Sequence, residues 1–395
     1  MLEYTVLVAI LPRVHGRGPM RPRLLHVHST FMLGGKEARD VDLMNAWGDT
    51  VEHVIVSSVP GALGARELID ARVPVSFPEP PPLAGPPSLA RLRAIARWVR
   101  AGEFDLALSF NFGAMDAVLA RRLFSGPPLV HHEDGFNEDE TAGQKPARRW
   151  LRRLALPAAH ALVVPSRNLE RIAAATWGRA ATYIPNGIEM ARFVGAPAAD
   201  AIPGLAREEG EVIVGTLAGL RPVKNLPRLV RAFADAVRRV PGVRARLVIV
   251  GRGPDAARIR AEADVLGVAD RLVMPGFLAH PHRYVGLFDV FALSSDSEQF
   301  PISLVEAMAA GLPAVSTRVG DVAEIVAGAN LPFLADVADE GALGAALARL
   351  IGDGALRVRV GADNRAKVAA QYTRAAMVAR YAQVYGTAME RALIA

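Results

Sequence analysis

The segment SSDSEQFPISLVEAMAAGLPAVSTRVGDVAEIV holds two carboxylates, Glu298 and Glu306, with seven residues between them. Pro301 suits the first turn of a helix, where its missing N–H costs nothing. Glu298 therefore belongs to the loop at a strand's carboxyl end, and Glu306 lies more than a turn into the helix. A carboxylate has two acceptor oxygens, enough to take both hydroxyls of a cis-diol such as ribose. The free amides at the helix start, around Ile302 and Ser303, suit an anion or sugar oxygens. Gly311 then closes the helix before a new apolar strand.

A second constellation is GTLAGLRPVKNLPRLV, in which Gly219, Arg221 and Lys224 follow a strand and precede a helix that Asn225 can cap. Guanidinium and ammonium beside a helix start form a clamp for a pyrophosphate. Such a clamp can replace a metal ion. No catalytic triad or histidine–carboxylate metal spacing emerges elsewhere, so no metal site is expected.

These motifs resemble glycosyltransferase family 4, retaining enzymes of the GT-B fold. The similarity covers most of the chain beyond Met20. Its specific part is the paired glutamates followed by Ala-Met-Ala-x-Gly-x-Pro and then Val-Gly-x-x-x-Glu. The resemblance implies that Glu298, with Phe300, Pro301, Ile302 and Ser303, faces the transferred sugar, while Glu306 holds the nucleotide ribose. It places the donor phosphates at Arg221 and Lys224, and the nucleobase near Phe277 in MPGF. Gly253 in VIVGRGPD ends a neighbouring strand, and the missing third glycine sets it apart from a dinucleotide fingerprint. Pro301 stands where many family members have glycine, which removes one donor for a sugar hydroxyl.

Toward the N-terminus, FMLGGKEARD puts Gly34 and Gly35 between a strand and its helix, where backbone can approach a phosphate or sugar closely. The resemblance assigns this glycine pair to donor and acceptor. Lys36 either serves a charged acceptor or is solvated. PLVHHEDGFNEDE ends another strand where family members carry one histidine close to the sugar; residue type favours His132, and counting back from Gly135 favours Asp134. Both stand as catalytic candidates. Asp40 and Asp42 lie within a helical pattern and read as a solvated face. The segment Lys145 to Arg153, in QKPARRWLRRLALPAAH, is basic with interspersed Trp150, Leu151 and Leu154. It reads either as an amphipathic helix for anionic lipid or lipid-linked phosphate, or as an ordinary exposed basic helix.

The elements that position these residues follow from hydropathy. Short β-branched runs alternate with helical patterns of ten to fifteen residues from Arg23 onward, and the alternation restarts at EVIVGTLAG. The expected architecture is α/β and GT-B: two facing, Rossmann-like, doubly wound domains with an interdomain cleft. The acceptor-side domain spans 20–195 and the donor domain 205–372, joined by a loose linker near 195–204. The stretch 373–395 forms an amphipathic helix that packs back on the first domain. Residues 1–19 read as a non-core extension with a poor signal sequence.

Composition narrows the class. The chain has 395 residues, 51% of them hydrophobic, too many for one core and too apolar for disorder. No cysteine occurs, which excludes disulfides and thiolate metal sites and suits a reducing compartment. The net charge of +6 admits an anionic partner. Nucleic acid is not expected, because aromatics are few and no binding motif accompanies the charge. The expected protein is a cytoplasmic hexosyltransferase, peripheral at the inner membrane face, that works in polysaccharide or glycolipid biosynthesis. It needs no cofactor beyond a nucleoside diphosphate sugar as substrate, and its acceptor is a hydroxyl, such as that of a lipid-linked glycan. The alternatives are a nucleotide-sugar epimerase of the same fold and a non-catalytic nucleotide-sugar-binding scaffold.

Overall fold

The computed structural model describes residues 21–83, 85, 88–136, 140 and 143–393. The expected extension 1–19, part of the proline cluster and residues 137–139 lie outside the described residues. The chain divides into two compact units, Met1–Pro185 with Met377–Ala395, and Asn186–Ala376.

In the first unit, strands β1 (Arg23–His28), β2 (Glu52–Ser57), β3 (Val75–Ser76), β4 (Leu106–Phe110), β5 (Leu129–His132), β6 (Ala161–Val164) and β7 (Thr182–Tyr183) form one sheet. Its order is β3-β2-β1-β4-β5-β6-β7, and every pairing is parallel. Helices α1 (Gly35–Trp47), α2 (Leu89–Ala101), α3 (Met115–Phe124), α4 (Pro146–Ala155) and α5 (Arg167–Ile172) lie between successive strands. Parallel neighbours require such crossovers.

The second unit repeats the plan. Strands β8 (Val212–Leu217), β9 (Ala245–Val250), β10 (Leu272–Gly276), β11 (Val290–Leu293), β12 (Ala314–Thr317) and β13 (Leu334–Ala335) pair in parallel as β10-β9-β8-β11-β12-β13. Helices α6 (Leu226–Arg239), α7 (Ala256–Val265), α8 (Ile302–Ala309), α9 (Val322–Ile325), α10 (Glu340–Gly352) and α11 (Gly354–Gln371) accompany them. The last helix, α12 (Arg374–Met389), returns the chain to the first unit, where Met377, Tyr381 and Tyr385 join Trp47 and Phe110 in the core.

The strand order reverses between β1 and β4 in one sheet and between β8 and β11 in the other. Ligands of open α/β sheets bind at the carboxyl ends of strands beside such a reversal. The expected linker near 195–204 is corrected: the boundary falls at Pro185/Asn186. Ile188, Phe193, Ile202 and Leu205 are buried in the second unit's core. Apolar residues spaced among glycines and prolines gave that stretch a loose look, yet they anchor it.

Candidate functional site

Lys224 follows β8 and Glu298 follows β11, the two strands flanking the reversal in the second unit. Strand order alone therefore brings together residues 74 positions apart, and Lys224 Nζ donates to Glu298 Oε1 at 2.5 Å. Ser295 Oγ donates to the same oxygen at 2.7 Å. Asp296 braces the loops: its N–H reaches the Val223 carbonyl at 2.8 Å, and its carboxylate takes Arg228 Nη1 at 2.6 Å. Asn225 does not cap α6 with its side chain. It sits in the left-handed region (φ 43°) and turns its amide to Asp296. Arg221 is exposed beside Gly219 and meets no partner among the described residues.

Two glycines let this site close up. A Cβ on Gly253 would stand 2.3 Å from the Leu220 carbonyl, so the loop after β9 touches the backbone that carries Arg221. Gly320, in the loop after β12, has φ 51°, and its Cβ would stand 2.2 Å from the Glu298 carbonyl. Gly320 was part of the recognised Val-Gly-x-x-x-Glu pattern but not among the site residues; only the fold shows it backing the Glu298 loop. Gly320→Ala is expected to displace Glu298 and lower kcat by roughly 10- to 100-fold, the usual cost of misplacing a reacting group by about 1 Å. A kcat within twofold of wild type would show that the loop adjusts freely.

Helix α8 begins after Pro301, its N-cap residue (φ −70°). Among the described residues no acceptor meets the N–H of Ile302 or Ser303, leaving them for a ligand. The helix ends in a Schellman motif, with Gly311 N–H to Met308 O and Leu312 N–H to Ala307 O, and Gly311 takes φ 81°. Glu306 is half-buried, and among the described residues no donor reaches its carboxyl. Burial pushes its pKa up to about 8. Phe277 is 49% exposed just past β10, open for stacking. Phe300 differs from expectation: its ring is buried against Tyr372, 5.6 Å between centroids, so it supports the loop from inside and cannot face a ligand.

In the first unit, Gly34 and Gly35 start α1 at the carboxyl end of β1. Lys36 is neither solvated nor free for an acceptor. It pairs with Glu37, and its ammonium donates to the Thr30 carbonyl at 3.2 Å. His132 and Asp134 differ in their surroundings. His132 is 1% exposed, its ring stacks on Phe110, Nε2 shares a hydrogen bond with the Tyr385 hydroxyl at 2.8 Å, and Nδ1 contacts the Ser109 carbonyl at 3.2 Å. Burial drives its pKa down to about 3. His132 is therefore a core residue, and a catalytic role is withdrawn. Asp134, one step past the buried strand end, is half-buried and held by Arg39, whose Nη2 donates to Oδ2 at 3.1 Å. Burial alone would raise its pKa, but the Arg39 cation holds it below the usual carboxylate range.

One further expectation is overturned. Asp40 is 1% exposed and receives hydrogen bonds from His26 and His28, so it is no part of a solvated face. A histidine–carboxylate cluster thus exists after all, and its residues lie too far apart in sequence for spacing to reveal it. Helix α4 buries one arginine of the basic segment and leaves others on its outer side. Arg152 is fully buried, bonded to Glu133 and stacked near Phe112, Phe136 and Trp177, while Trp150 and Leu154 point out at 68% and 54% exposure. Arg149 and Arg153 share that outer face. Among the described residues no helix is long and apolar enough to cross a membrane.

The Glycosyl transferases group 1 family matches residues 199–367, and Glycosyltransferase Family 4 matches residues 41–192. N-acetyl-alpha-D-glucosaminyl L-malate synthase of Bacillus anthracis is 30% identical over 45% of this chain, and the chain spans 46% of its length. A GDP-mannose-dependent alpha-(1-6)-phosphatidylinositol monomannoside mannosyltransferase of Mycobacterium tuberculosis is 34% identical over 81% of this chain and 86% of its own. The crystal structure of Anabaena HepE in complex with UDP superposes with a TM-score of 0.75, at 19% identity, over 92% of this chain and 100% of that one, which establishes the GT-B fold. By the near-full-length match to the mannosyltransferase, together with the two domain families in tandem, this chain belongs to glycosyltransferase family 4.

Proposed function

We propose that this chain is a hexosyltransferase that moves a hexose from a nucleoside diphosphate sugar to a hydroxyl acceptor, with retention at the anomeric carbon. The observation that supports this most is the Lys224–Glu298 pair at the strand reversal, set beside the unpaired amides of Ile302 and Ser303. Arg221 and Lys224 stabilise the charge that develops on the leaving diphosphate. Glu298 and the α8 amides hold the sugar, Glu306 holds the ribose, and Phe277 stacks on the base. Gly34, Gly35 and Asp134, in the first unit, serve the acceptor. The leaving phosphate takes the acceptor's proton on the face it departs from, so no protein nucleophile is required. The UDP of HepE and the GDP-mannose of the mannosyltransferase set the donors to try first.

The test is product analysis with labelled UDP- and GDP-sugars and lipid-linked glycans, with and without added Mg2+ or Mn2+. A glycoside of retained anomeric configuration, formed at a rate the added ions do not change, is expected. An epimerised free donor would replace this reading with an epimerase, and an inverted product or strict dependence on the added ion would remove retention or the metal-free clamp.

Glu306 yields a sharper expectation. Its carboxyl is largely protonated at pH 7, because burial holds the pKa near 8. Ribose hydroxyls donate to the ionised form, so nucleotide binding releases a proton, and affinity rises as pH climbs toward 8. Calorimetry in buffers of different ionisation heat should show that release in wild type and not in Glu306→Gln. The variant should also bind more weakly by about 1–3 kcal/mol. Equal proton release and affinity in both proteins would remove Glu306 from the ribose site.

The outer face of α4 is proposed to rest on an anionic bilayer, with Trp150 and Leu154 at the interface and Arg149 and Arg153 on the head groups. Co-sedimentation with vesicles of an anionic lipid should fall severalfold in Trp150→Ala. Equal binding to neutral vesicles would dismiss the charge-guided contact.

A further inference from the structure

Strand β1 is central in the first sheet, where both faces are covered and apolar residues are the rule. It instead carries His26 and His28, two residues apart and hence on one face. Helix α1 brings Asp40 to them, and β2 brings His53. The four side chains are buried: His26, His28 and His53 at 0% and Asp40 at 1% exposure. None of this belongs to the donor machinery, which lies in the second unit.

The donor atoms converge. His26 Nδ1 lies 2.9 Å from Asp40 Oδ2 and 3.2 Å from Oδ1, and His28 Nε2 lies 2.9 Å from the same Oδ2. One ligand atom from each of the three residues falls within 4.8 Å of the others. Hydrogen bonding alone leaves this array incomplete. The far nitrogens of the end rings, His28 Nδ1 and His53 Nε2, meet no partner. No lysine or arginine pairs with Asp40 among the described residues, and a buried carboxylate facing only imidazoles is poorly compensated.

We propose that His26, His28 and Asp40 form a buried structural zinc site within the first unit. Two imidazole nitrogens and a carboxylate that can offer both oxygens make a four-donor shell of the kind zinc takes. Donors about 2.0–2.1 Å from a zinc ion stand about 3.3 Å apart in a tetrahedron. The two nitrogen–oxygen separations of 2.9 Å reach that with shifts of a few tenths of an ångström. The outer nitrogen of His26 lies 2.9 Å from His53 Nδ1, the supporting hydrogen bond that fixes a ligating imidazole. Phe31 and Phe110 pack on the His28 ring and Trp47 on the His53 ring, so the ion is enclosed among aromatic side chains, ties β1 to α1 and takes no part in transfer. By holding α1, it also holds the glycine pair at that helix's start.

The test uses the full chain without a polyhistidine tag, made in zinc-supplemented medium and dialysed. Elemental analysis should find about one zinc per chain. Refolding with Co2+ should give the visible d–d bands of a four-coordinate site, and refolding without metal should lower the yield and the Tm. His28→Gln and Asp40→Asn should lose the ion. If either fails to fold, the zinc content and cobalt spectrum of wild type still decide. The neighbouring histidines His280 and His282 of the second unit are the control, because an ion held there would vanish in the His280→Asn, His282→Asn double variant. Retention of one zinc in that variant supports the buried site. Loss of zinc there, or a wild type that refolds equally well without metal and shows no cobalt bands, overturns it.

Discussion

Lys224→Ala is expected to lower kcat by roughly 10²- to 10³-fold, the range seen when one preorganised charge-stabilising donor is removed. Two losses combine. The ammonium no longer meets the negative charge that grows on the leaving diphosphate, and Glu298, 2.5 Å from Nζ, loses its cation. An unpaired carboxylate then faces an anionic donor. Lys224→Ala with Glu298→Gln should therefore lose less than the product of the two single effects, because the second change removes the repulsion that the first created. Arg221 is exposed, and Arg221→Ala should lower kcat by less than Lys224→Ala does. Steady-state kinetics of the wild type and the four variants with one donor decide the matter. A Lys224→Ala kcat within threefold of wild type would show that the pair only braces the loops.

Arg152→Ala should destabilise the first unit by about 3–5 kcal/mol, the cost of removing one partner of a buried ion pair. Arg152 is fully buried, its Nε donates to Glu133 Oε2 at 3.1 Å, and Glu140 Oε1 lies 3.6 Å from Nη1. Its loss strands the buried Glu133 carboxylate, leaves Glu140 with Arg148 alone, and empties the space beside Phe112, Phe136 and Trp177. Arg152→Met, which refills the space, should recover part of the loss. The pH dependence has a definite sign. Burial alone would raise the Glu133 pKa, but hydrogen bonds and charge from His131 and Arg152 hold it below the usual value. A depressed folded pKa stabilises above the unfolded value near 4.5 and loses that contribution as pH falls through the folded value. The gap between wild type and Arg152→Met should therefore narrow in acid. Urea unfolding at pH 7 and pH 4 measures it, and a constant gap would show that Glu133 does not depend on Arg152.

Much of this was legible in the residues. Paired glutamates, the helix-closing Gly311 and the Arg221–Lys224 spacing depend on neighbours in sequence, and the structure puts Glu298 after a strand, Glu306 within α8, Gly311 at its end and Arg221 and Lys224 before α6. The errors share a cause. Periodicity says that Arg152, Asp40 and His132 lie on elements, but not what covers them. A basic residue among leucines looks like surface until Glu133 and Glu140 are brought over it by β5 and the chain beyond. An aspartate on α1 looks solvated until the alternate residues of β1 beneath it prove to be histidines. Phe300 looked like part of a ligand loop because position along the chain does not say which way a ring turns.

The amino-acid sequence by itself determined the class of fold, the family and the segments that carry chemistry, because alternating short apolar runs and local caps are encoded within a few residues of one another. Only the tertiary structure decided which side chains meet. Parallel sheets join strands through crossovers, so the partners that matter most are distant: Lys224 with Glu298, His132 with Tyr385, Arg39 with Asp134 and His26 with Asp40 and His53. Their pairing follows from strand order and burial, and a buried polar group must find its partner wherever the fold provides one.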